Sequence, residues 1–194
     1  MLVRTSPTVG AMDPLGPLGV VPTDGRGSLP YASVHGESLV AAASWALSTA
    51  GVELFDYSVS FADVQDEERP LVIHDPLCPL TPAGFIEVAV EESEQTGAVV
   101  VGVRPVTDTV KEYDSQSLGA TLDREGLVCV TSPVVLPAAV VAALDGLDTD
   151  DLAALVAELS QRFPVSHLEA PALGRRITGE ADLEVLDALS RAAG

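Results

Sequence analysis

The sequence predicts a mixed α/β fold built on a mainly parallel sheet, and two observations support that prediction. Short apolar segments such as "VVVGV" (99–103) recur along the chain, and continuous apolar runs are typical of parallel strands that are covered on both faces. Between these segments lie stretches with apolar residues at helical spacing. This alternation within 194 residues favours a single layered α/β domain over residues 1–194.

The predicted elements follow in order along the chain. Residues 1–17 are rich in Pro and Gly and predict an irregular lead-in. Strands are predicted at 18–21, 54–61, 70–74, 97–103 and 164–170. Helices are predicted at 37–51, 83–93, 136–147, 148–163 and 179–194, with Thr149 or Asp150 as the cap of the fourth. Polar, alternating residues between 105 and 130 predict a β-arm that stands off the sheet.

The charge balance excludes several partners. Ten Lys and Arg residues face 29 Asp and Glu residues, which gives a formal net charge of −19. Such a molecule repels nucleic acid and anionic membrane surfaces, so neither is an expected partner.

The first residues lack the apolar core of a signal peptide, and no apolar run is long enough to span a membrane. A cytoplasmic protein is therefore expected.

A few isolated residues have a plain structural interpretation. Cys78 and Cys129 lack metal-ligand spacing, and we expect both to be reduced thiols packed in the interior. Trp45 is expected on the buried face of a helix, as part of the hydrophobic core. His74 follows an apolar strand and is expected to be a buried, hydrogen-bonded histidine.

Polar clusters lie where the predicted strands end. They are "TDGRG" (23–27), "HDPLCP" (74–79), "RPVTDTVKE" (104–112) and, before the last helix, "GRRIT" (174–178). Each one alone is a common kind of turn. Because ligands of open α/β sheets bind beyond the carboxyl ends of the strands, their convergence on one pocket is the sharper hypothesis.

Taken in order, these segments resemble a known family, the 2-C-methyl-D-erythritol 4-phosphate cytidylyltransferases. "LVIHDPLCPLTPAGF" (71–85) resembles the family segment "VLVHDAARPLT", and "VRPVTDTVKEYD" (103–114) resembles "PVTDTVKEVD". "TLDREGLVCVTSPVV" (121–135) resembles "TLDRSRLWAVQTPQ", and "GRRITGEADLEVLDAL" (174–189) resembles "NIKITTPEDLELAEAL". The resemblance implies a three-layer Rossmann-like nucleotidyltransferase fold, with a homodimer formed through the β-arm at 105–130.

The resemblance also implies roles for individual residues. Asp75, Thr109, Arg124 and Ser132 match family positions that bind the polyol phosphate, and the arm's Arg124 is expected to reach the pocket of the other subunit. Lys111 is a further candidate, which contacts either the ligand or the dimer partner.

The nucleotide-binding half matches less well. The family loop "AAGxGxRxG…PK" is represented only by "VVPTDGRGSLPYASVHG" (20–36), with Tyr31 where a Lys is expected, and Cys78 replaces the Arg of "HDAARP". The nucleotide-binding candidates are Gly25, Arg26 and Gly27, and the catalytic candidates are Arg26 and Arg176. Loss of one cation aimed at a developing phosphate charge typically slows such a reaction about 100- to 1000-fold.

Three functions follow as hypotheses. The leading one is a divergent family member that keeps a polyol-phosphate pocket and has lost or weakened CTP-dependent activity, acting as a binding or regulatory protein. The second is an active cytidylyltransferase of isoprenoid biosynthesis, in which Mg²⁺ is held partly by Asp75. The third is a non-catalytic protein-interaction scaffold. Expected partners are a small-molecule phosphate or CTP and a second copy of the chain.

Overall fold

The computed structural model describes residues 15–55, 59–114 and 116–193. Its strands are β1 (Leu18–Val20), β2 (Ser33–Val34), β3 (Glu37–Ser38), β4 (Glu53–Leu54), β5 (Leu71–Ile73), β6 (Val99–Pro105), β7 (Lys111–Asp114), β8 (Ser117–Thr121), β9 (Val128–Leu136) and β10 (Val165–Glu169). Its helices are α1 (Leu39–Thr49), α2 (Phe61–Asp66), α3 (Ala83–Thr96), α4 (Ala138–Ala142), α5 (Leu152–Arg162) and α6 (Glu180–Ala193).

A six-stranded sheet lies at the centre, in the order β10-β6-β9-β5-β1-β4. Neighbouring strands are parallel except at β9, which runs antiparallel to both β5 and β6. Two short antiparallel hairpins, β2-β3 and β7-β8, lie outside this sheet. The prediction of an α/β fold with a mainly parallel sheet and a protruding hairpin is therefore confirmed.

Helices cover both faces of the sheet. Side chains alternate along a strand, so that Leu71 and Ile73 of β5 pack with residues of α2, α4 and α5, whereas Val72 packs with residues of α1 and α3. Strands buried on both faces explain the fully apolar runs in the sequence. The three layers are thus helices, sheet and helices.

The element bounds differ from the sequence predictions in places. The expected helix at 37–51 begins only at Leu39, because Glu37 and Ser38 pair with β2 and the Ser38 hydroxyl then accepts from the N–H of Ala41. Of the expected strand at 54–61, Leu54 lies in β4, residues 55, 59 and 60 lie in no strand, and α2 begins at Phe61. Residues 56–58 lie outside the described residues, as do residues 1–14 of the predicted lead-in.

The carboxyl-terminal part of the predicted arm belongs to the sheet. Residues 128–136 form β9, whose Val134 lies between Ile73 and Val101 of the flanking strands, so the free hairpin covers only β7 and β8.

The predicted caps of α5 are also wrong. Its N-cap is Asp151, whose carboxylate accepts from the N–H groups of Ala153 and Ala154.

The structure corrects the interpretation of isolated residues as well. Trp45 is 72% exposed rather than in the core. Cys78 is buried as expected, but Cys129 is exposed. His74 is fully buried, yet neither ring nitrogen has a hydrogen-bond partner among the described residues.

None of the helices in the described parts of the chain combines the length and the apolar character that crossing a bilayer requires.

Candidate functional site

The sheet order brings the predicted polar segments together. Strands β1 and β5 are parallel neighbours, with Gly19 opposite Val72, so the loops that follow them leave the same edge of the sheet. The "HDP" segment after β5 therefore lies beside the "TDGRG" loop after β1. On its other side, β9 runs antiparallel with Val134 opposite Ile73, which places Ser132 level with Asp75.

Asp75 is the centre of this cluster. Its Oδ1 accepts from Arg26 Nε at 2.8 Å and from the N–H of Leu77 at 3.0 Å, and its Oδ2 accepts from Arg176 Nε at 2.8 Å. Its own N–H donates to Ser132 Oγ at 2.6 Å. The carboxylate is only 2% exposed, so most of its acceptor capacity is used inside the chain.

Arg26 is enclosed by the protein. Its side chain is 1% exposed, and besides Asp75 it binds main-chain carbonyls, with Nη1 donating to Asp24 O at 2.6 Å and Nη2 to Thr149 O at 2.9 Å. The first loop is thereby tied to the segment before α5. Every nitrogen of this guanidinium is engaged within the chain.

Burial and the two arginines set the protonation state at this site. Burial raises the pKa of the Asp75 carboxyl, but the guanidinium groups of Arg26 and Arg176 lower it more, so the pKa lies below its ordinary value. Burial raises the pKa of the Cys78 thiol well above its ordinary value, and the neighbouring Asp75 charge adds to this. Asp75 is thus an anion and Cys78 a neutral thiol at physiological pH.

A cavity of about 840 Å³ opens beside this cluster. The sheet contributes the end of β6 and the start of β9, and the other walls come from the loop at 105–108, the start of α5 and the segment before α6. Its charged lining residues are Asp75, Arg104, Asp108, Asp150, Asp151, Arg175 and Arg176. The volume lies in the range of pockets that hold small molecules.

The structure brings some of the predicted site residues together. Asp75, Arg26 and Arg176 form one ion-paired cluster, and the buried Ser132 binds the backbone of Asp75. Gly25 lines the cavity. Gly27 follows in the same loop, in a left-handed conformation with φ +58°.

Other predicted residues lie apart from this cluster. Thr109, Lys111 and Arg124 are exposed on the loop and arm, and none of them lines the cavity within this protomer. Arg124 Nη1 instead donates to the carbonyl of Thr107. Their assignment to substrate binding stays a prediction that rests on the resemblance.

Sequence reasoning missed several residues of the cavity. Arg104 and Arg175 belong to segments that the sequence analysis had marked as polar, but neither was chosen as a candidate. Thr131 also lines the cavity, is 2% exposed, and its hydroxyl has no hydrogen-bond partner among the described residues. The scarcity of cations in a chain of charge −19 was the available signal for the arginines.

The carboxylate proposed to hold Mg²⁺ is already ion-paired within the chain. Asp75 is the proposed ligand, but both of its oxygens already accept hydrogen bonds from cationic side chains. Within residues 15–55, 59–114 and 116–193, no group of three or more His, Cys, Asp or Glu side chains is arranged to hold a metal. Mg²⁺ as a cofactor stays a prediction of the second hypothesis.

Comparisons with known proteins agree with the resemblance. The family model described as "IspD: 2-C-methyl-D-erythritol 4-phosphate cytidylyltransferase" matches residues 56–190. The cytidylyltransferase of that name from Thermus thermophilus is 32% identical over 129 residues, 63% of this chain and 59% of the relative. The one from Rhodococcus jostii is 36% identical over 133 residues, 65% of this chain and 57% of the relative. These matches span less than two thirds of the relatives' length.

Solved structures show the same fold. The crystal structure of the Thermus thermophilus enzyme superposes with a TM-score of 0.63 at 23% identity, covering 85% of this chain and 95% of that one. A 4-diphosphocytidyl-2C-methyl-D-erythritol synthase from Anaerococcus prevotii gives a TM-score of 0.64 at 13% identity, covering 92% and 97%.

Proposed function

The chain belongs to the 2-C-methyl-D-erythritol 4-phosphate cytidylyltransferase family, and from this we propose that it is a divergent member that binds a polyol phosphate and transfers cytidylyl groups weakly or not at all. It would then serve as a binding or regulatory protein in the cytoplasm. The observation that supports this proposal is the enclosure of Arg26 and Asp75 in one internal ion-pair cluster.

The state of Arg26 argues against efficient nucleotide capture. A cation that assists phosphoryl or nucleotidyl transfer must reach the phosphate oxygens at which charge develops. Arg26 is the one cation of the first loop in the sequence, and its guanidinium is buried with all of its nitrogens bonded to Asp75, Asp24 and Thr149. To serve a triphosphate it would have to break these contacts and leave Asp75 partly unpaired.

The pairing of Asp75 with two arginines likewise argues against binding of a metal ion at this carboxylate. A carboxylate attracts Mg²⁺ through its negative charge and its free oxygen lone pairs. Here the charge of Asp75 is balanced by Arg26 and Arg176, and its lone pairs largely accept internal hydrogen bonds. The groups that would bind a nucleotide and its metal are therefore engaged with one another within the chain.

The cavity supports the ligand-binding part of the proposal. It remains open beside the cluster, with Arg104, Arg175 and Arg176 among its lining residues. Arginine is suited to phosphate because its planar fork donates parallel hydrogen bonds to two oxygens. We expect a small phosphorylated polyol, and a second copy of the chain bound through the hairpin β7-β8, to be its partners.

Titration calorimetry at low salt tests binding, and release of pyrophosphate tests transfer. The protein is titrated with methylerythritol phosphate and separately with CTP and Mg²⁺, with the Thermus thermophilus enzyme measured in parallel. We expect binding of the polyol phosphate, little or no binding of CTP, and pyrophosphate release slower than that of the Thermus enzyme by at least about 1000-fold.

Substrate-dependent pyrophosphate release at a rate close to that of the Thermus enzyme would overturn the proposal in favour of an active cytidylyltransferase. In that event Arg26→Gln should abolish turnover. If neither ligand binds, the scaffold interpretation takes its place.

A further inference from the structure

Cys129 is an exposed free thiol on the wall of the cavity. It lies near the start of β9, at a position where the family segment "TLDRSRLWAVQTPQ" has an Ala. Neither the family motif nor the proposed function gives this thiol a role. Because the oxidation of a cysteine depends on its exposure, the cavity of this chain carries a reactive group that the family motif lacks.

A second residue of the same strand indicates that a ligand contacts the wall beside Cys129. Thr131 lies two positions further along β9, lines the same cavity and is only 2% exposed. Its hydroxyl has no hydrogen-bond partner among the described residues. A buried hydroxyl without a partner costs stability, and a polar group bound in the cavity next to Cys129 would satisfy it.

The charges around this thiol are of both signs. Arg104 lies directly opposite Cys129 in the antiparallel pairing of β6 with β9, and the Cβ atoms of such pairs are about 4.5–5.5 Å apart. The other charged residues of the lining are Asp75, Asp108, Asp150, Asp151, Arg175 and Arg176. This mixture does not select a simple anion, but it is complementary to a zwitterion that carries ammonium groups as well as carboxylates.

The chain offers Cys129 no reactive partner thiol of its own. The sequence contains one other cysteine, Cys78, which is fully buried, and burial raises the pKa of that thiol well above its ordinary value. Cys78 is therefore unreactive. Disulfide formation by Cys129 must use a sulfur from outside the chain, and a cavity of about 840 Å³ has room for a small molecule that carries one.

We propose that Cys129 is a redox modification site, at which a small zwitterionic disulfide of the amino-acid or peptide class forms a mixed disulfide seated in the cavity against Thr131. The Cys129 thiol loses its proton, and its sulfur attacks one sulfur of the small disulfide. A new S–S bond forms, the original S–S bond breaks, and the proton ends on the small thiol that is released. Cys129 is oxidised in this step, and the small disulfide is the oxidant and is reduced.

The modification closes the cavity to other ligands, and this consequence rests on the proposed function. The adduct at Cys129 occupies the space in which a polyol phosphate is expected to bind, so the two exclude each other. A reducing thiol reverses the exchange and clears the cavity. The reduced protein would therefore bind the ligand, and the oxidised protein would not.

Intact-mass spectrometry after incubation of the full chain with glutathione disulfide tests the site. We expect a single glutathionyl group on each chain, which peptide digestion assigns to Cys129 and dithiothreitol removes. Cys129→Ser should gain none, whereas Cys78→Ala should be modified as the original protein is. Absence of the adduct, its presence on Cys78, or a disulfide between the Cys129 residues of two chains in its place would overturn the inference.

Two disulfides of different charge test whether the adduct forms within the cavity. Glutathione disulfide is zwitterionic, whereas bis(2-hydroxyethyl) disulfide is uncharged, and the ratio of their reaction rates cancels the intrinsic reactivity of the thiol. Arg104→Gln should lower this ratio about threefold or more, since it removes a cation that attracts the carboxylates of glutathione disulfide. Arg162→Gln is the matched control, because Arg162 lies on α5 outside the cavity lining. An unchanged ratio in Arg104→Gln would overturn the inference.

Thr131→Val tests the contact with the buried hydroxyl. This substitution keeps the shape of the side chain and should lower the equilibrium constant for exchange with glutathione disulfide about fivefold, the value of one hydrogen bond. Thermal unfolding checks that each variant is folded. An unchanged equilibrium constant in folded Thr131→Val would contradict the seating of the adduct in the cavity.

Titration calorimetry separates failure of the inference from failure of the proposed function. Methylerythritol phosphate is titrated into the reduced protein and into the purified glutathionyl adduct, and we expect binding to the reduced form alone. Equal affinity of the two forms overturns the inference and leaves the proposed function standing. Absence of binding to both forms overturns the proposed function, whereas the masses and the rate ratios still decide whether Cys129 is modified within the cavity.

Discussion

The carboxylate of Asp75 illustrates how neighbours decide what a single residue can do. Its position after β5 and its match to a family motif predict a ligand-binding residue, but its oxygens accept from Arg26, Arg176 and the backbone of Leu77. Desolvation of a buried charge is offset only while its partners are present. The same contacts that lower the pKa of Asp75 thus make it a structural anchor of the site.

We expect Asp75→Asn to lower the free energy of unfolding by about 3–5 kcal/mol, because a neutral amide leaves a buried guanidinium without its counter-charge. Urea unfolding at neutral pH measures this change. Asp108→Asn is the control, since Asp108 is an exposed residue of the same cavity, and its effect should stay within about 0.5 kcal/mol. Equal effects of the two substitutions would show that the ion-pair cluster does not stabilise the fold.

His74 makes the free energy of unfolding depend on pH. Burial lowers the pKa of its imidazole from 6.5 to about 4, although the charge of Asp75 opposes the shift. The unfolded chain therefore takes up the proton first. The neutral imidazole of His74 therefore makes its full contribution to the free energy of unfolding above about pH 6.5. This contribution is lost as the pH falls towards 4, by about 3 kcal/mol in total.

Substitution tests this assignment. His74→Leu should remove most of the pH dependence of the unfolding free energy between about pH 6.5 and pH 4, which urea titrations at a series of pH values would measure. The exposed His167 provides the control substitution, His167→Leu, and this variant should keep the original profile. Persistence of the full pH dependence in His74→Leu would contradict the prediction.

At the level of elements, the first loop is held by its packing as well as by Arg26. Gly25 has φ +72°, and a Cβ built on it would lie 2.9 Å from the carbonyl oxygen of Asp150. Glycine is therefore required at this position for two reasons, the left-handed backbone and the close approach to the segment before α5. The loop that holds a nucleotide in the family is here a packed part of the cavity wall.

Paired glycine substitutions separate these two requirements. Gly27 has φ +58°, but no atom lies within 4 Å of the position that a Cβ would take there, so Gly27→Ala should cost only the backbone strain of about 1–2 kcal/mol. Gly25→Ala should cost at least about 1 kcal/mol more, since the added methyl meets backbone atoms. Urea unfolding of both variants gives the comparison, and equal losses would argue against tight packing of the loop.

The hairpin β7-β8 is the element that points to a partner. Tyr113 and Leu118 face each other across the two strands, and each is 71% exposed. An isolated two-stranded hairpin is only marginally stable in water, and exposed apolar side chains on it favour burial against another surface. This supports the proposed homodimer.

Sedimentation analysis tests the dimer. We expect the protein to sediment at twice the 20.0 kDa mass of the chain, and the double substitution Tyr113→Glu with Leu118→Glu to convert it to a monomer. Trp45→Glu should leave the dimer intact, because Trp45 is equally exposed but lies on α1. A monomeric unmodified protein, or dissociation by Trp45→Glu alone, would contradict the prediction.

At the scale of the whole molecule, the net charge of −19 opposes the compact state. Like charges on a folded surface repel one another, and salt screens that repulsion. Some surface carboxylates are paired, as Glu53 and Glu67 are with Arg69, but the 29 acidic residues far outnumber the ten Lys and Arg. Repulsion among the carboxylates should therefore dominate the salt response.

We expect the midpoint of thermal unfolding to rise by several degrees between about 20 mM and about 500 mM NaCl. Differential scanning calorimetry measures the midpoint. Potassium chloride serves as a control for specific sodium binding and should give the same rise. A midpoint that falls with salt would show that attractive ion pairs outweigh the repulsion.

Much of the fold followed from local patterns. The apolar runs at β5 and β6 and the helical spacing of α3 and α5 each reflect burial on a particular face, and burial patterns are legible along a chain. The strand β9 was harder to predict, because its residues lie beside the arm in sequence and join the sheet only by pairing with β5 and β6. Strand pairing is a long-range property.

The sequence by itself determined the fold class, the family and the segments that form the site, since motif order and apolar periodicity are properties of the chain. Only the tertiary structure decided what those segments do to one another. Arg26 and Asp75 are 49 positions apart in sequence, and their contact, which engages both in the protein interior, depends on β1 and β5 being neighbours in the sheet. The same applies to Arg104 and Arg175, because the walls of a cavity are assembled from residues that no local pattern relates.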